Sequence, residues 1–259
     1  MRNNVLVTGA GGQLGKTIQD LQSEKKNDID FTFLSKAALD ITNIDDLQAC
    51  FASNNFNFCI NCAAYTNVEQ AEITPEIAYK INAESVKNLA EVCKKHNVIL
   101  IHISTDYVFD GTKRTPYITK DIPNPMNEYG KSKLLGEQYI ARILKKYFII
   151  RSSWLYSREY GHNFYRSILN KVKTEKEISV TTDQIGCPTD VVNLSRFLFD
   201  LILDKQKPYG LYHFCDKKEM TWYDFAKSIL AEKNIKNIKL IQVDHFKTLA
   251  KRPKYSVLG

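Results

Sequence analysis

The run VLVTGAGGQLG, Val5 to Gly15, constrains this chain more than any other stretch. A short β-favouring segment leads straight into Gly9, Gly12 and Gly15, and an amphipathic stretch follows from about Gly12. Glycines at a strand-to-helix turn permit a tight turn and let backbone N–H groups approach a pyrophosphate held at the helix N-terminus. Three glycines would also suit a loop that only needs positive φ, so the strand before and the helix after give the pattern its weight as a dinucleotide turn.

The rest of the first half keeps the same rhythm. FTFLS precedes IDDLQACFA, FNFCINCAA precedes PEIAYKINAESVKNLAEVCKKH, and VILIHIST precedes a long helix that leads to YFIIRSSW. Short apolar runs alternating with amphipathic ones predict an α/β fold, a Rossmann-type doubly wound parallel sheet with helices on both faces. Pro75 opens its helix at a position that needs no backbone N–H. After about residue 152 the pattern loosens into a short helix near Asn163 to Val172, a strand EISVT, a turn at Cys187-Pro188, a helix from Asp190, GLYHFC and TWYDFAKSILAEK. With no repeat, low-complexity tract or linker, residues 1–152 read as a nucleotide-binding core carrying the catalytic residues. Residues 153–259 then form mainly a small C-terminal substrate-binding lobe, with segments returning to the core.

Composition narrows the function classes. The net charge of +7 favours anionic partners, but Lys25-Lys26, Lys94-Lys95 and Lys145-Lys146 are dispersed near helix ends and form no basic stripe, so an anionic small substrate is expected and nucleic acid is not. No apolar run approaches the roughly 18 residues of a membrane span, and no cleavable leader is legible, so a cytoplasmic protein without membrane contact is expected. Of six cysteines, Cys59 and Cys62 form a single CxxC inside a strand-like run, where i and i+3 face opposite ways. No second pair completes a zinc site, so all six are expected as reduced thiols and no metal site is expected.

The acid that holds an NAD ribose should follow the second strand. FTFLSKAA places Ser35 and Lys36 there instead, a hydroxyl and an ammonium that suit a 2′-phosphate, which favours NADPH with NADH as the alternative. The chemical counterpart lies in NEYGKSKLLGE. Asn127 can cap a helix, and Tyr129 and Lys133 then stand one turn apart on one face. Hydride reduction of a carbonyl leaves an alkoxide that needs a proton, and a tyrosine acts as that donor only when a neighbouring cation adjusts its pKa. Ser104 and Thr105, at the end of VILIHIST, are placed to polarise the carbonyl oxygen.

The glycine turn, Ser/Thr after the fourth strand and Tyr-x-x-x-Lys, in that order, resemble the short-chain dehydrogenase/reductase superfamily in its extended, nucleotide-sugar-modifying branch. A finer resemblance, to the dTDP-4-dehydrorhamnose reductase family, runs over nearly the whole chain. It is carried by TGAGGQLG, NCAAYTNVEQAE, KINAESVKNLA, STDYVFDG, NEYGKSKLLGE, RSSWLY, HNF, DQIGCPT, GLYHFC with TWYDFA, and RPKYSVL. Sugar epimerases and dehydratases usually carry a tyrosine-glycine-proline element in place of SSWLY and SSxxVYG in place of STDYVFDG.

The resemblance implies Thr105 as the polarising hydroxyl, Tyr129 as proton donor, and Lys133 as the group that binds the nicotinamide ribose and lowers the tyrosine pKa. It implies Gly9, Gly12, Gln13 and Leu14 at the pyrophosphate, Asp40 and Ile41 on the adenine side, and Ala63, Ala64 and Tyr65 along the middle of the dinucleotide. Val68, Tyr107, Trp154, Asn163 and Gln184 would face a dTDP-4-dehydro-6-deoxy-L-sugar. Trp154 and Tyr107 are otherwise plain cleft aromatics, Asn163 a helix cap and Gln184 a turn residue.

Two departures stand out. Where some members place magnesium-binding glutamates at a dimer contact, this chain has Thr17 and Val192, so neither metal nor that dimer is expected, and a monomer or weak homodimer is. The family pattern continues into another helix after RPKYSVL, whereas this sequence ends at Gly259. The resemblance implies NADPH-dependent reduction of a C4 ketone. The rival readings are a reductase of another nucleotide-linked 4-ketosugar, an epimerase or dehydratase retaining NAD, and a non-catalytic NADP-binding subunit like the regulatory partner of methionine adenosyltransferase.

Overall fold

The computed structural model describes residues 2–25, 27–244 and 247–259, which leaves Lys26 of the first basic pair outside the described residues. The first half runs β1 (Asn3–Thr8), α1 (Gln13–Leu21), β2 (Ile29–Leu34), α2 (Ile44–Ala52) and β3 (Phe58–Asn61). It continues through α3 (Val68–Ile73), α4 (Pro75–Tyr79), α5 (Ser85–Lys95), β4 (Ile99–Thr105), α6 (Glu128–Ile143) and β5 (Tyr147–Ser152). The second half holds β6 (Leu155–Tyr156), α7 (Phe164–Lys171), β7 (Glu177–Thr181), β8 (Ile185–Gly186), β9 (Thr189–Asp190), α8 (Val191–Leu203), β10 (Gly210–Phe214), β11 (Met220–Thr221), α9 (Trp222–Glu232) and β12 (Lys239–Val243).

Six strands form one parallel sheet in the order β10-β5-β4-β3-β1-β2. The chain order reverses between β1 and β3, and ligands of such sheets bind outside the carboxyl ends of the strands at that reversal. Period-two alternation divides the apolar residues between two layers. Val5, Val7, Ile60 and Ile101 pack under α1 and α8, while Leu6, Cys59, Leu100 and Ile149 pack under α2, α5 and α6. The outer strand β10 and helix α8 come from the second half, so the chain returns to the core sheet after building its lobe.

The lobe has its own apolar cluster, in which Tyr165 and Ile168 of α7, Ile178 and Val180 of β7, and Phe225 and Ile229 of α9 meet. A capping box fixes the start of α9, with Thr221 and Asp224 exchanging hydrogen bonds. The parallel pair β7–β12 lies beneath it. Among the described residues no helix is long and apolar enough to cross a membrane.

One predicted helix differs in form. PEIAYKINAESVKNLAEVCKK reads as a single helix, but between α4 and α5 the turn widens into a π-helical segment at residues 80–84. The Ser85 hydroxyl donates to the Lys80 carbonyl at 2.6 Å, beside that irregular turn. Asn82 is thereby turned inward against α6, where its carbonyl leaves room for no side chain at Gly136.

Candidate active site

Helix α6 delivers the two residues of the Tyr-x-x-x-Lys spacing. The Asn127 side-chain oxygen accepts from Gly130 N at 2.7 Å, and its amide donates to the Lys251 carbonyl at 2.8 Å, tying the cap to the C-terminal segment. Gly130 packs directly on the Tyr107 backbone, and any side chain there would lift the first turn of α6 away from the end of β4. The phenol of Tyr129 thus stands beside the Thr105 hydroxyl and edge-on to the Tyr107 ring, with centroids 5.9 Å apart.

Thr105 ends β4 and is itself held in place. Its oxygen accepts from Tyr107 N at 3.1 Å, and its hydroxyl donates to Asp106 Oδ1 at 3.1 Å. Ser104 points to the other side and donates to the buried carboxylate of Glu137, which also receives Arg151 Nη2 at 2.7 Å. Of the two hydroxyls at this edge, only Thr105 is therefore available to a carbonyl beside Tyr129. Burial pushes the Tyr129 phenol above its ordinary pKa, and the Thr105 hydroxyl opposes part of that rise. Burial likewise raises the Asp106 carboxyl to about 7, against the hydrogen bonds from Ser256 at 2.6 Å and Thr105.

Lys133 differs from the expectation that it depresses the tyrosine pKa. Its amine is buried and donates to the Ile103 carbonyl at 2.7 Å, with His102 Nε2 at 3.1 Å on its other side. Desolvation lowers it to about 8. Behind it a polar row crosses the sheet. His102 Nδ1 lies 3.1 Å from Asn61 Nδ2, and Asn61 Oδ1 accepts from Thr8 Oγ1 at 2.7 Å and from Ala63 N at 3.2 Å.

A cleft of about 440 Å³ is lined by Gly9, Gly12, Lys36, Asp40, Ile41, Ala63, Ala64 and Tyr65 among others. Eight of the expected cofactor residues thus share one surface. Gly9 has φ of +64°, and a Cβ there would stand 2.5 Å from Ala63 N. That close approach of two backbones leaves a floor without side chains, the shape a pyrophosphate needs. Gly12 caps α1 without a side-chain hydrogen bond, so the first amides of α1 have no side-chain partner at their open end. These features fit a dinucleotide. Asp40 accepts from Thr42 N at 2.9 Å, and that bond holds its carboxyl below the usual range. Lys36 is mostly exposed, its Nζ 4.0 Å from Asp40. Ser35 neighbours Gly11 at the rim, and Leu14 is packed into the core under the sheet. Gln13 reaches away from the turn, donating to the Leu155 carbonyl at 3.3 Å and accepting from Asn163 Nδ2 at 3.0 Å, and so braces the lobe against the glycine turn.

A second cleft, of about 460 Å³, lies in the lobe and is lined by Asn163, Phe164, Lys171, Gln184, Trp222 and Arg252 among others. Asn163 fills the cap role, its oxygen accepting from Arg166 N at 3.1 Å, while its amide donates to the Ser157 and Tyr160 carbonyls. Gln184 accepts from Trp222 Nε1 at 3.1 Å, and Trp222 stacks on Trp154 with centroids 3.5 Å apart. Val68 begins α3 beside Glu69, the partner of Arg252 at 2.5 Å.

Four residues of the site escaped the sequence reading as individual positions. Arg252 faces the lobe cleft and also reaches Tyr107, joining the cleft to the catalytic edge. Trp222 supplies the stacking partner. Asn82 clamps the backbone of Tyr65, accepting from its N–H at 2.9 Å and donating to its carbonyl at 3.0 Å. His102 is the fourth. Arg252, Trp222 and Asn82 sit inside motifs that carry the resemblance and His102 two residues before one, and what marks each one individually is a contact with a residue far away in sequence.

Comparison with known proteins adds to this geometry. The profile described as "RmlD substrate binding domain" matches residues 2–259. A dTDP-4-dehydrorhamnose reductase of Aggregatibacter actinomycetemcomitans is 39% identical, over 98% of this chain and 90% of its own length. A dTDP-4-keto-6-deoxy-D-glucose reductase of Streptomyces niveus is 33% identical, over 100% of this chain and 89% of its own length. The crystal structure of dTDP-4-dehydrorhamnose reductase from Bacillus anthracis in complex with NADP superposes with a TM-score of 0.95 at 40% identity, covering 100% of this chain and 91% of that one.

Proposed function

The chain belongs to the RmlD substrate binding domain family, and from that premise we propose that it catalyses the NADPH-dependent reduction of the C4 ketone of dTDP-4-dehydro-L-rhamnose to dTDP-L-rhamnose. It is an oxidoreductase of dTDP-rhamnose biosynthesis. The observation that supports this reading best is the meeting of Thr105 and Tyr129 at the end of β4, in a chain that also carries a glycine-floored cleft and an aromatic one.

The roles follow from the chemistry. The nicotinamide, when bound, supplies the hydride. Tyr129 is the acid, and burial that raises its pKa keeps the phenol protonated and able to donate to the alkoxide oxygen. Thr105 polarises the ketone by turning its hydroxyl hydrogen from Asp106 Oδ1 to the substrate oxygen, while Tyr107 N holds the hydroxyl oxygen in place. Lys133 would hold the nicotinamide ribose. Gly9, Gly12, Gln13 and Leu14 would form the pyrophosphate turn through their backbone, Ser35 and Lys36 would take the 2′-phosphate, and Asp40 and Ile41 the adenine. Ala63, Ala64 and Tyr65 would line the dinucleotide, with Val68, Tyr107, Trp154, Asn163 and Gln184 on the deoxysugar nucleotide. The scheme calls on no metal. We take the enzyme to work in the cytoplasm as a monomer or weak homodimer.

The Streptomyces niveus relative motivates a second reading, reduction of another nucleotide-linked 4-ketosugar. A non-catalytic regulatory subunit would have no need of Thr105, Tyr129 and Lys133 together. The deciding experiment follows NADPH absorbance on addition of freshly generated dTDP-4-dehydro-L-rhamnose, with identification of the product sugar. Rapid oxidation yielding dTDP-L-rhamnose is expected, and Tyr129→Phe should lose about 10²–10⁴-fold in kcat with little change in NADPH affinity. Full activity in the variant refutes the assigned acid, and a folded, NADPH-binding protein inert to this sugar refutes the assigned substrate.

A further inference from the structure

Thr8, Asn61 and His102 occupy one rung of three adjacent strands, paired Thr8 to Asn61 and Asn61 to His102 in register. All three are buried and face α6, where Lys133 closes the row. Following the hydrogens along this row leads to one consistent arrangement. Asn61 Oδ1 accepts from Thr8 Oγ1 and from the Ala63 amide, so its Nδ2 is the group presented to His102 Nδ1. Nδ2 can only donate, so Nδ1 carries the lone pair and the neutral ring carries its hydrogen on Nε2. That hydrogen points at Lys133 Nζ, 3.1 Å away. An ammonium there would oppose donor to donor, whereas an uncharged amine accepts from Nε2–H and donates to the Ile103 carbonyl. Rotating the Asn61 amide does not help, because its Nδ2 would then confront the Ala63 N–H.

We propose that His102 is a positioning residue that favours the uncharged Lys133 amine until the nicotinamide cofactor arrives, so that cofactor binding is coupled to proton uptake by Lys133. The proton comes from solvent and adds to the Nζ lone pair that had accepted the His102 hydrogen, and no other bond forms or breaks. Once charged, the ammonium finds no acceptor in His102 and turns its free hydrogens to acceptors outside the row. Among its surroundings, Glu137, one turn further along α6, opposes His102 by favouring a charged Lys133, but it is itself engaged by Arg151 from β5 and by Ser104. Tyr129 stands one turn before it, and Asp106 and Tyr107 face the phenol and not the amine. Desolvation acts in the same direction as His102 on Lys133.

The inference rests on the cleft being the NADPH site, and its tests separate the two. Nitrogen NMR of the free protein, with His102 assigned by its loss in His102→Gln, should show the Nε2–H tautomer, and an Nδ1–H tautomer or an imidazolium overturns the proposal. Calorimetry of NADPH binding near pH 8.5, in buffers of different ionisation enthalpy, should show more than half a proton taken up by the wild type. It should show clearly less in His102→Gln, whose side-chain oxygen accepts from an ammonium while the burial of Lys133 persists, and an uptake equal to that of the wild type overturns the role of His102. NADPH Kd should accordingly rise about tenfold per pH unit above the Lys133 pKa in the wild type and less in the variant. Binding without proton uptake overturns the coupling alone, and absence of binding overturns the cofactor reading. If the variant does not fold, the wild-type tautomer, assigned through its contact with Lys133, decides by itself.

Discussion

The glycine-floored cleft and the lobe cleft are built from different materials. The cleft assigned to the cofactor is made of backbone, with Gly9 against Ala63, the open end of α1, and Tyr65 held by Asn82 through its peptide groups. The lobe cleft is made of side chains, with Trp222 on Trp154, Gln184 on the indole N–H, and Arg252 between Glu69 and Tyr107. A backbone site recognises what every dinucleotide shares and tolerates little change. A side-chain site can be rebuilt residue by residue, which would let members of one family, named for different ketosugars, differ at that cleft.

Gly9→Ala should break the backbone site most severely. The added carbon meets Ala63 N at 2.5 Å in a left-handed conformation, a strain of about 1–3 kcal/mol. A Tm lower by several degrees and an NADPH Kd at least about tenfold higher are expected, by thermal melts and by fluorescence titration, with any residual activity keeping its sugar KM. Trp222→Ala should do the converse. Losing the stacked partner, worth about 0.5–1.5 kcal/mol beyond area, should raise the sugar KM up to about tenfold and leave NADPH affinity alone, and an equal effect on both ligands would erase the distinction.

Asp106 stands where the two halves meet and should show itself through pH. Because burial raises its carboxyl from about 3.8 to about 7, the folded protein holds this proton more tightly than the unfolded chain. The associated stability is complete below pH 3.8 and is lost as pH rises toward 7, so Asp106→Asn should flatten that part of a Tm-against-pH curve. The smallest effect belongs to Lys36→Ala. An exposed cation contributes less than about 1 kcal/mol, so NADPH Kd should rise only a few-fold, NADH Kd should stay constant, and the difference should fade in high salt.

The same contrast explains what could be read in advance. The glycine turn, Asn127 with Tyr129 and Lys133, and the strand–helix alternation are local patterns, and each is present in the structure where the spacing placed it. The lobe was harder, because its pieces meet across long separations, as Arg252 meets Glu69 at 183 residues and Gln13 meets Asn163 at 150. Nor does a helical period reveal the π turn that aims Asn82, since one extra residue in a turn is set by contacts with Ser132 and Gly136. The His102 row was invisible for another reason. Within a single strand, Ile-His-Ile-Ser looks like ordinary alternation, and only the register of three strands brings its polar members into line.

The stacked pair Trp154–Trp222 has an optical consequence. These are the only two tryptophans of the chain, and at 3.5 Å and 8° between planes their excited states are coupled. The free protein should therefore display an exciton couplet in ultraviolet circular dichroism and quenched indole emission. A nucleotide sugar that parted the rings would collapse the couplet and brighten the emission, and the pair would then be an unlabelled reporter of its entry.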